Sequence, residues 1–335
     1  MRYIVYGAGA IGGLTGGRMA EHGADVVLIA RGAHAAIIAR DGLTIVSAEG
    51  TTTVKVPVVT DPSEVDFGAG DAVLLAMKSQ QTGAALDALR RVAPPSTPVA
   101  CLQNGVENER ATLRLYANVY SVCVMCPSTH LEPGVVQQDS VPVPGLLDVG
   151  RYPEGLDATV TEIAEAFRSA GFDSIERPDI TRWKYRKLIM NLGNAVNAVI
   201  AAPGTKAIAT RAQEEGEACF RAAKIEYASV AEDRDRRADI MQIRDIPGRP
   251  RGGGSTWQSL RRGTGSIESD YLNGEVSLLG RLHGIATPVN DLLAQLAWEA
   301  ALRGADPGAM TVKEFEAHLA AAEANGTGTR CAPTG

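Results

Sequence analysis

The stretch Arg-Tyr-Ile-Val-Tyr-Gly-Ala-Gly-Ala-Ile-Gly, residues 2–12, decides the fold class of this chain. Residues 2–6 have the apolar composition of a short buried strand, and a helical pattern follows through about Glu21. At this G-x-G-x-x-G spacing the first glycine allows a tight turn, the second lets the backbone approach a pyrophosphate, and the third lets helix and strand pack closely. A glycine-rich turn of another α/β protein is the alternative. The strand before it and the helix after it favour a dinucleotide-binding turn, which we expect to comprise Gly7, Ala8, Gly9, Ala10, Ile11 and Gly12.

Apolar strand patterns alternate with helical patterns as far as residue 178. The predicted strands are 25–30, 43–47, 53–59, 72–77, 98–102 and 173–177, and the predicted helices between them are 81–92, 106–116 and 159–171. This alternation predicts an α/β fold with a Rossmann-type, doubly wound parallel sheet. From residue 180 onward the sequence predicts helices only, at 181–201, 205–211, 213–231, 266–283, 289–302 and 312–323. We therefore expect a dinucleotide-binding domain at 1–178, an all-helical domain at 179–325 and a flexible tail at 326–335.

Length and composition limit the classes of function. A chain of 335 residues, 45% of them hydrophobic, is long enough for two domains. Its net charge of −6 argues against a nucleic-acid partner, which needs a clustered basic surface. No basic segment precedes an apolar stretch at the N-terminus, and no apolar run approaches about 18 residues. We therefore expect a cytoplasmic protein with neither a signal peptide nor a membrane span.

Two cysteines stand at a spacing that can bind metal. Cys123 and Cys126 form a C-x-x-C pair inside an apolar, strand-like run, without a second Cys or His pair at zinc spacing. A metal or redox role is one interpretation, and buried free thiols are the favoured one. We therefore expect no metal site.

The choice of nicotinamide cofactor depends on the residue that follows the second predicted strand. Enzymes that use NAD commonly place Asp or Glu there, to bond the ribose hydroxyls. This chain has Arg31, which cannot accept a hydrogen bond but suits a 2′-phosphate. Lys78 ends the predicted strand 72–77 and can reach the same edge of the sheet. We therefore expect NADP, the alternative being that Arg31 is only a solvated surface charge.

Asn104 follows the predicted strand 98–102 within a Gln-Asn-Gly sequence. An Asn before Gly is often only a turn residue. Ligands of doubly wound sheets, however, bind outside the carboxyl ends of the strands. Asn104 is therefore a candidate for holding the nicotinamide ribose or the substrate.

Lys187, Asn191 and Asn194 fall at positions i, i+4 and i+7 of a largely apolar predicted helix, and so share one face. These side chains either face solvent or line a polar pocket. Surface positions of helices more often carry better helix formers than Asn. The two Asn residues beside a Lys suggest a pocket, without excluding the exposed face.

Two further elements also have two interpretations each. Glu268 lies near the start of a predicted helix, where it could cap the helix or act in a site. Ser255 and Thr256 follow the Gly/Pro/Arg-rich loop 245–254, where they could cap the next helix or bind a carboxylate.

Taken in order, these motifs resemble the ketopantoate reductase (2-dehydropantoate 2-reductase) family over about residues 1–300. The resemblance is carried by residues 7–13, Ala30-Arg31, Met77-Lys78, Gln103-Asn104-Gly105, Thr129-His130, Pro133-Gly134, Arg186-Lys187-Leu188, Asn191, Ile267-Glu268, Asp270-Tyr271, Asn273-Gly274, His283-Gly284-Ile285 and Thr287-Pro288. It implies a Rossmann domain followed by an all-helical domain similar to the C-terminal domain of 6-phosphogluconate dehydrogenase. It also implies NADPH-dependent reduction of 2-dehydropantoate to pantoate, in pantothenate and CoA biosynthesis, in the cleft between the domains.

The resemblance also implies roles for the polar residues. Lys187 matches the general acid, and Asn104 and Glu268 match residues near the nicotinamide end of the site. The implied substrate-binding residues are Asn104, Asn191, Asn194 and either Ser255 or Thr256. Hydride attack on a 2-oxo acid leaves charge on the keto oxygen, and an ammonium such as that of Lys187 can neutralise it.

Three departures from the family pattern all concern the substrate side. Asn191 and Asn194 stand three residues apart instead of four, residues 202–204 lack an expected Asn, and the loop 235–254 is longer and richer in Arg. Cofactor and reaction type are therefore better supported than the substrate. The alternatives are a different 2-oxo acid, an imine, or a non-catalytic NADP-binding sensor. The apolar helices of the second domain are compatible with a homodimer.

Overall fold

The structure is a computed structural model, and it describes residues 1–201, 203–249, 253–263 and 265–324. The chain divides into two compact units. The first comprises Met1–Lys184 and Ala228–Arg251, and the second comprises Tyr185–Tyr227 and Gly252–Gly335. This division differs from the single boundary expected at residue 178, because residues 228–251 return to the first unit. The tail expected at 326–335 lies outside the described residues.

The strands and helices are numbered separately in chain order. The strands are β1 (Arg2–Tyr6), β2 (Val26–Ile29), β3 (Leu43–Ser47), β4 (Gly50–Val54), β5 (Val58–Val59), β6 (Asp71–Leu75), β7 (Val99–Cys101), β8 (Val119–Met125), β9 (Ser128–Thr129), β10 (Val135–Gln138), β11 (Ser140–Pro142), β12 (Leu146–Arg151) and β13 (Met241–Ile243). The helices are α1 (Ala10–Glu21), α2 (Gly32–Asp41), α3 (Thr82–Leu89), α4 (Glu107–Leu113), α5 (Ala158–Ser169), α6 (Ile180–Asn191), α7 (Gly193–Val199), α8 (Lys206–Ala223), α9 (Val230–Arg237), α10 (Ser255–Arg261), α11 (Asn273–His283), α12 (Pro288–Arg303) and α13 (Val312–Ala324).

The first unit is built on a sheet whose strands, within the described residues, run in the order β12-β8-β7-β6-β1-β2-β5. Neighbouring strands are parallel, except that β12 runs antiparallel to β8. Without β12 this is the 3-2-1-4-5-6 order of dinucleotide-binding sheets. Every residue of β6 is buried, and so is all of β1 apart from Arg2, as a sheet covered on both faces requires. The predicted fold class is confirmed.

Two predicted strands differ from the observed ones. The stretch 53–59 divides between β4, in a second sheet of order β4-β3-β10-β9, and β5, at the edge of the main sheet. Pro57 lies between them, lacks an N–H, and accepts a hydrogen bond from the amide of Leu28 through its carbonyl (2.8 Å). Residues 173–177 do not form a strand, and their backbone pairs with β12 through isolated bridges, Asp173 with Leu146 and Glu176 with Val149.

Residues 228–251 join the first unit through a strand pairing and a buried ion pair. Strand β13 pairs antiparallel with β11. On α9, Arg236 donates to both carboxylate oxygens of Asp148 (2.8 and 2.6 Å) and to Asp173 (2.5 Å). The prediction of helices only beyond residue 180 is therefore wrong at β13. Its distant partner β11, and not a local pattern, makes that segment a strand.

Helices form the second unit, and one buried amide binds the chain at an interruption that the sequence pattern does not show. The predicted helix 181–201 is divided at Leu192 into α6 and α7. The Nδ2 atom of Asn273 donates to the Leu192 carbonyl (3.2 Å) and to Oδ1 of Asn290 (2.9 Å). Asn273 and Asn290 are both fully buried, so the interrupted helix is tied to α11 and α12.

Other helix boundaries also differ from the predicted ones. The predicted helices 205–211 and 213–231 begin as one helix, α8, which ends where Lys224 adopts a left-handed conformation (φ 56°). The predicted helix 266–283 starts only at Asn273, after a 3-10 turn at Ser269–Tyr271. No helix in the described ranges is long and apolar enough to cross a bilayer.

Candidate functional site

The glycine-rich turn connects β1 to α1. Gly7 has a φ of +100°, and a Cβ there would lie 2.7 Å from the amide nitrogen of Met77. A Cβ on Gly12 would lie 2.7 Å from the Cβ of Ala76, whereas one on Gly9 would meet nothing within 4 Å. Gly9 stands at the N-cap of α1 with no side-chain cap, and the first turn carries no acidic residue. The turn therefore fits a pyrophosphate, because open space lies beside Gly9 and the helix amides are left for an anion.

The other residues predicted to bind the cofactor follow strands next to β1. The order β7-β6-β1-β2 sets Asn104, Lys78, the glycine turn and Arg31 in sequence along the carboxyl edge of the sheet. Arg31 is exposed at the N-cap of α2, and its guanidinium forms no hydrogen bond or ion pair with another described residue. Its charge acts on Asp61, whose pKa is lowered mainly by a hydrogen bond from Ser63 and also by Arg31. The Arg31 guanidinium is therefore available to an anionic ligand.

His34 supports the glycine turn, although no sequence motif marks it. Its Nδ1 accepts a hydrogen bond from the amide of Gly134 (2.8 Å), so the ring proton must lie on Nε2. Nε2 in turn donates to the carbonyl of Ala8 (2.7 Å). Burial lowers the pKa of His34, and this favours the neutral ring that both contacts need. The rest of the turn, Ala10 and Ile11, opens α1 in half-buried positions.

The Gln-Asn-Gly turn after β7 is held through its backbone. The side-chain amide of Asn108 donates to the carbonyl of Asn104 (3.1 Å), and the hydroxyl of Ser79 reaches the same oxygen at 3.4 Å. The side chain of Asn104 is half-exposed and has no hydrogen-bond partner among the described residues. Its amide is therefore available to a ligand. Asn108 was missed because the sequence does not show that its side chain reaches back to this turn.

In the second unit, Lys187 and Asn191 lie on α6 and Asn194 lies on α7. Leu192, between the helices, keeps helical dihedral angles (φ −59°, ψ −29°). Asn191 is 5% exposed, and its Nδ2 has no hydrogen-bond partner among the described residues. Lys187 and Asn194 are half-buried. Burial of Asn191 argues against an exposed face at its position.

Ser255 and Thr256 are the first two residues of α10, which packs against α7. The N-cap of α10 is Gly254, and no side chain caps the helix, so the capping alternative is wrong. Their hydroxyl oxygens are buried without a hydrogen-bond partner among the described residues, as is Nδ2 of Asn191. Unpaired buried polar groups are costly and uncommon. Such atoms are typical of a site that pairs with a ligand.

Glu268 is 3% exposed and stands at the N-cap of the 3-10 turn before α11. Its side chain makes no capping hydrogen bond, so the capping alternative is wrong here as well. Its negative charge acts on Arg262, whose pKa is lowered by burial and raised, to a smaller extent, by Glu268. The second unit thus holds a buried carboxylate that does not serve as a helix cap.

Neither Cys123 nor Cys126 forms a disulfide; Cys123 is buried, as the favoured interpretation expects, and Cys126 is half-buried. The thiol of Cys123 contacts the carbonyl of Trp183, and that of Cys126 contacts the carbonyl of Pro144, each at 3.6 Å. Across the described ranges, no group of three or more His, Cys, Asp or Glu residues could hold a metal ion.

The sheet order, the glycine turn and the open N-terminus of α1 together define a dinucleotide-binding protein of the Rossmann class. Comparison with known proteins identifies the family. Residues 3–154 match the model of Ketopantoate reductase PanE/ApbA, and residues 179–300 match that of its C-terminal part. The chain belongs to the ketopantoate reductase family. It is an oxidoreductase that acts on a CH–OH group and uses a nicotinamide cofactor.

Curated relatives and solved structures agree with this assignment. The chain is 33% identical to the 2-dehydropantoate 2-reductase of Halobacterium salinarum, over 88% of this chain and 97% of the relative. It is 30% identical to that of Pyrococcus horikoshii, over 88% and 95%. The structure of a PanE/ApbA family ketopantoate reductase from Ralstonia eutropha matches with a TM-score of 0.75 at 29% identity, covering 91% of this chain and 99% of that one. D-mandelate dehydrogenase with NADH and anilino(oxo)acetate matches with a TM-score of 0.76 at 23% identity, over 91% and 99%, which shows the shared fold.

Proposed function

We propose that this protein uses NADPH to reduce a small 2-oxo acid to the 2-hydroxy acid, and that the substrate is 2-dehydropantoate. The observation that carries the proposal is the set of unpaired buried polar atoms on Asn191, Ser255 and Thr256. An amide N–H and two hydroxyls can donate hydrogen bonds to the carboxylate that a 2-oxo acid carries beside its keto group. The names of the Halobacterium and Pyrococcus relatives support 2-dehydropantoate in particular.

The preference for NADPH rests on Arg31. The fold alone does not decide it, since D-mandelate dehydrogenase, with the same fold, was solved with NADH. An exposed guanidinium after the second strand of the sheet suits a 2′-phosphate and offers no acceptor to ribose hydroxyls. Lys78, which follows β6, adds a second positive charge at the same edge.

Lys187 is the proposed general acid. NADPH, when bound, supplies the hydride that the keto carbon of the substrate takes up. Negative charge then develops on the keto oxygen, and the ammonium of Lys187 donates a proton to it. Asn191 and Asn194, on the same helical stretch, orient the substrate through their amides. Ser255 and Thr256 bind its carboxylate.

Two more side chains complete the proposed site. Asn104 would orient the nicotinamide ribose or the substrate from the first unit, and its unpartnered amide supports this role. Glu268 would act near the nicotinamide end of the site. Its burial without a capping bond supports a role beyond stabilising the turn.

A panel of 2-oxo acids and cyclic imines, assayed by NADPH absorbance and repeated with NADH, tests the proposal. We expect 2-dehydropantoate to give the highest kcat/KM, and NADPH to exceed NADH with every substrate that reacts. If another 2-oxo acid or an imine gives a higher kcat/KM, that compound would replace 2-dehydropantoate as the proposed substrate. Tight NADPH binding without turnover of any carbonyl compound would favour a cofactor sensor.

A further inference from the structure

A buried ammonium lies directly behind the Gln-Asn-Gly turn. The Nζ atom of Lys184 is 2.6 Å from the carbonyl oxygen of Gln103 and 2.9 Å from Oε1 of Glu109. The side chains of Lys184 and Glu109 are only 4% and 1% exposed. A third acceptor, the carbonyl of Val122, lies at 3.5 Å. One ammonium therefore connects the end of β7 with α4 and β8, all within the first unit.

The ion pair is unusual in how little else compensates it. Neither carboxylate oxygen of Glu109 has a well-aligned hydrogen-bond donor among the described residues, so Lys184 balances its charge by proximity alone. Burying two charges costs solvation energy, and a buried ion pair is often no more stabilising than apolar residues of similar volume. A contribution to stability is therefore a weak explanation for this ion pair. Its position behind the Gln-Asn-Gly turn suggests that the pair holds the turn instead.

The turn is held at two successive carbonyl groups. Lys184 donates to the carbonyl of Gln103, and Asn108 donates to the carbonyl of Asn104. Asn108 is itself fixed, because its Oδ1 accepts a hydrogen bond from the hydroxyl of Thr82 (2.8 Å). With both carbonyls held, the backbone on either side of the Asn104 Cα has little freedom. The Asn104 side chain projects from this restrained backbone with no partner of its own.

We propose that the buried Lys184–Glu109 pair positions Asn104 for catalysis by holding the carbonyl of Gln103. The inference rests on the proposed function, since it assumes that Asn104 contacts the cofactor or the substrate. Glu109 keeps the ammonium of Lys184 in place, and the ammonium keeps the turn in place. Lys184 and Glu109 are positioning residues that act through Asn104.

The test replaces the pair by apolar residues and asks whether the effect depends on Asn104. The double variant Lys184→Met with Glu109→Leu leaves no unpaired charge, so we expect it to fold. We expect its kcat/KM to fall by about tenfold to a hundredfold, the size typical of a small misplacement in an active site. In an Asn104→Ala background the same double change should cause no further fall. A loss of equal size in both backgrounds, or no loss in either, would overturn the proposal.

A matched control separates positioning from general destabilisation. Arg236 and Asp148 form another buried ion pair of the first unit, with side chains 4% and 5% exposed, and they contact neither Gln103 nor Asn104. The Arg236→Met, Asp148→Leu variant should lose stability without an effect that depends on Asn104. If the apolar Lys184 variant does not fold, Lys184→Arg keeps the charge opposite Glu109 but changes the donor that faces Gln103. The Lys184→Arg variant should show the same fall in kcat/KM, and only where Asn104 is present.

The outcomes also distinguish this inference from the proposed function. If the unmodified protein reduces no carbonyl compound, the proposed function fails. The dissociation constants of NADPH, measured by nucleotide fluorescence in the same four backgrounds, then test the positioning role. We expect the apolar pair to raise the constant by about three- to tenfold only where Asn104 is present. If Asn104→Ala alone changes neither kcat/KM nor cofactor affinity, Asn104 has no role and the inference falls with it.

Discussion

Oδ1 of Asn194 lies 3.1 Å from the position that a Cβ atom on Gly254 would occupy. Gly254 has a φ of −60°, which any residue adopts, so glycine is needed here for space and not for backbone freedom. Helix α10 begins at the next residue, Ser255. The missing side chain at position 254 therefore lets the Asn194 amide lie against the start of α10.

Gly254→Ala should weaken substrate binding without harming the fold. The added methyl group would displace the Asn194 amide by a few tenths of an ångström, so KM for the 2-oxo acid should rise about three- to tenfold, as for one lost hydrogen bond. The NADPH dissociation constant should stay unchanged. Gly193→Ala is the matched control, since its Cβ would lie at an ordinary 3.7 Å from the Cβ of Ala209. Equal kinetic effects in the two variants would contradict this explanation.

Gly9→Ala and Gly12→Ala should have opposite consequences. A Cβ on Gly9 meets open space, so the variant should keep its stability but lose about tenfold or more in cofactor affinity, about 1.4 kcal/mol, because the methyl group occupies room for the pyrophosphate. A Cβ on Gly12 collides with Ala76 and with the carbonyl of Gly7, so that variant should lose about 1–3 kcal/mol of stability. Urea unfolding and nucleotide fluorescence measure the two quantities. Full cofactor affinity in Gly9→Ala would show that the pyrophosphate binds elsewhere.

Arg31→Glu should reverse the cofactor preference. The change removes a charge-assisted contact to the 2′-phosphate and adds repulsion, at a cost of about 2–3 kcal/mol in NADPH binding. NADH should bind as well as before or better, because a carboxylate can accept hydrogen bonds from the ribose. Arg40→Glu makes the same change of charge at an exposed position of α2 and should leave the ratio of NADPH to NADH efficiency unaltered. Equal efficiencies with the two cofactors in the unmodified protein would already refute the assignment.

Lys187→Ala should lower kcat by roughly 10²–10⁴-fold, the usual contribution of a positioned proton donor. NADPH affinity should stay near normal, because the residues proposed to bind its phosphates, which are the glycine turn, Arg31 and Lys78, belong to the first unit. Lys187→Arg should restore little activity, since a guanidinium gives up its proton too reluctantly and differs in reach. Steady-state kinetics of both variants provide the measurement.

The contrary result for Lys187 is equally specific. If Lys187 only anchors the substrate carboxylate, KM should rise sharply while kcat at saturation survives, and Lys187→Arg should be tolerated. A kcat within about threefold of the unmodified value in Lys187→Ala would exclude the general-acid role.

The stability of the first unit should carry an acid-sensitive contribution from His34. Burial lowers the pKa of this side chain, so the unfolded chain takes up a proton at a higher pH than the folded one does. The free energy of unfolding should therefore fall as the pH drops below about 6.5, the ordinary value for imidazole. His34→Gln keeps a donor and an acceptor but does not titrate, so its unfolding free energy should depend less on pH. An unchanged slope in His34→Gln would disprove the assignment.

Local patterns predicted part of the first unit and missed α2 and the strands β9 to β12. The G-x-G-x-x-G spacing and the apolar strands act over a few residues, and the glycine turn, β1 and α1 lie where those patterns indicated. Features that depend on distant partners were missed. Strand β13 exists because β11 pairs with it, and the helix ends at Leu192 where Asn273 binds its carbonyl. No periodicity within residues 181–201 contains that information.

The candidate site divides in the same way. Arg31 and Asn104 could be identified because residues that follow parallel strands gather at one edge of a sheet. His34 and Lys184 could not, since no motif in the local sequence distinguishes either of them from an ordinary polar residue. Only the structure shows that His34 binds the carbonyl of Ala8. It also shows that Lys184 binds Gln103 and Glu109.

The return of residues 228–251 to the first unit limits how this protein could be recombined. The chain leaves that unit after Lys184, re-enters it at Ala228 and leaves it again after Arg251, so no single cut yields both units whole. A fragment ending at Lys184 would lack Arg236. The buried carboxylate of Asp148 would then lose the guanidinium that donates to both of its oxygens. A chimera joined to a relative's chain at a single junction after Lys184 would lose the same ion pair, unless the relative carries an arginine at the position equivalent to Arg236. Chimeras that move residues 228–251 together with residues 1–184 avoid this defect, which makes the protein a poor subject for simple domain shuffling.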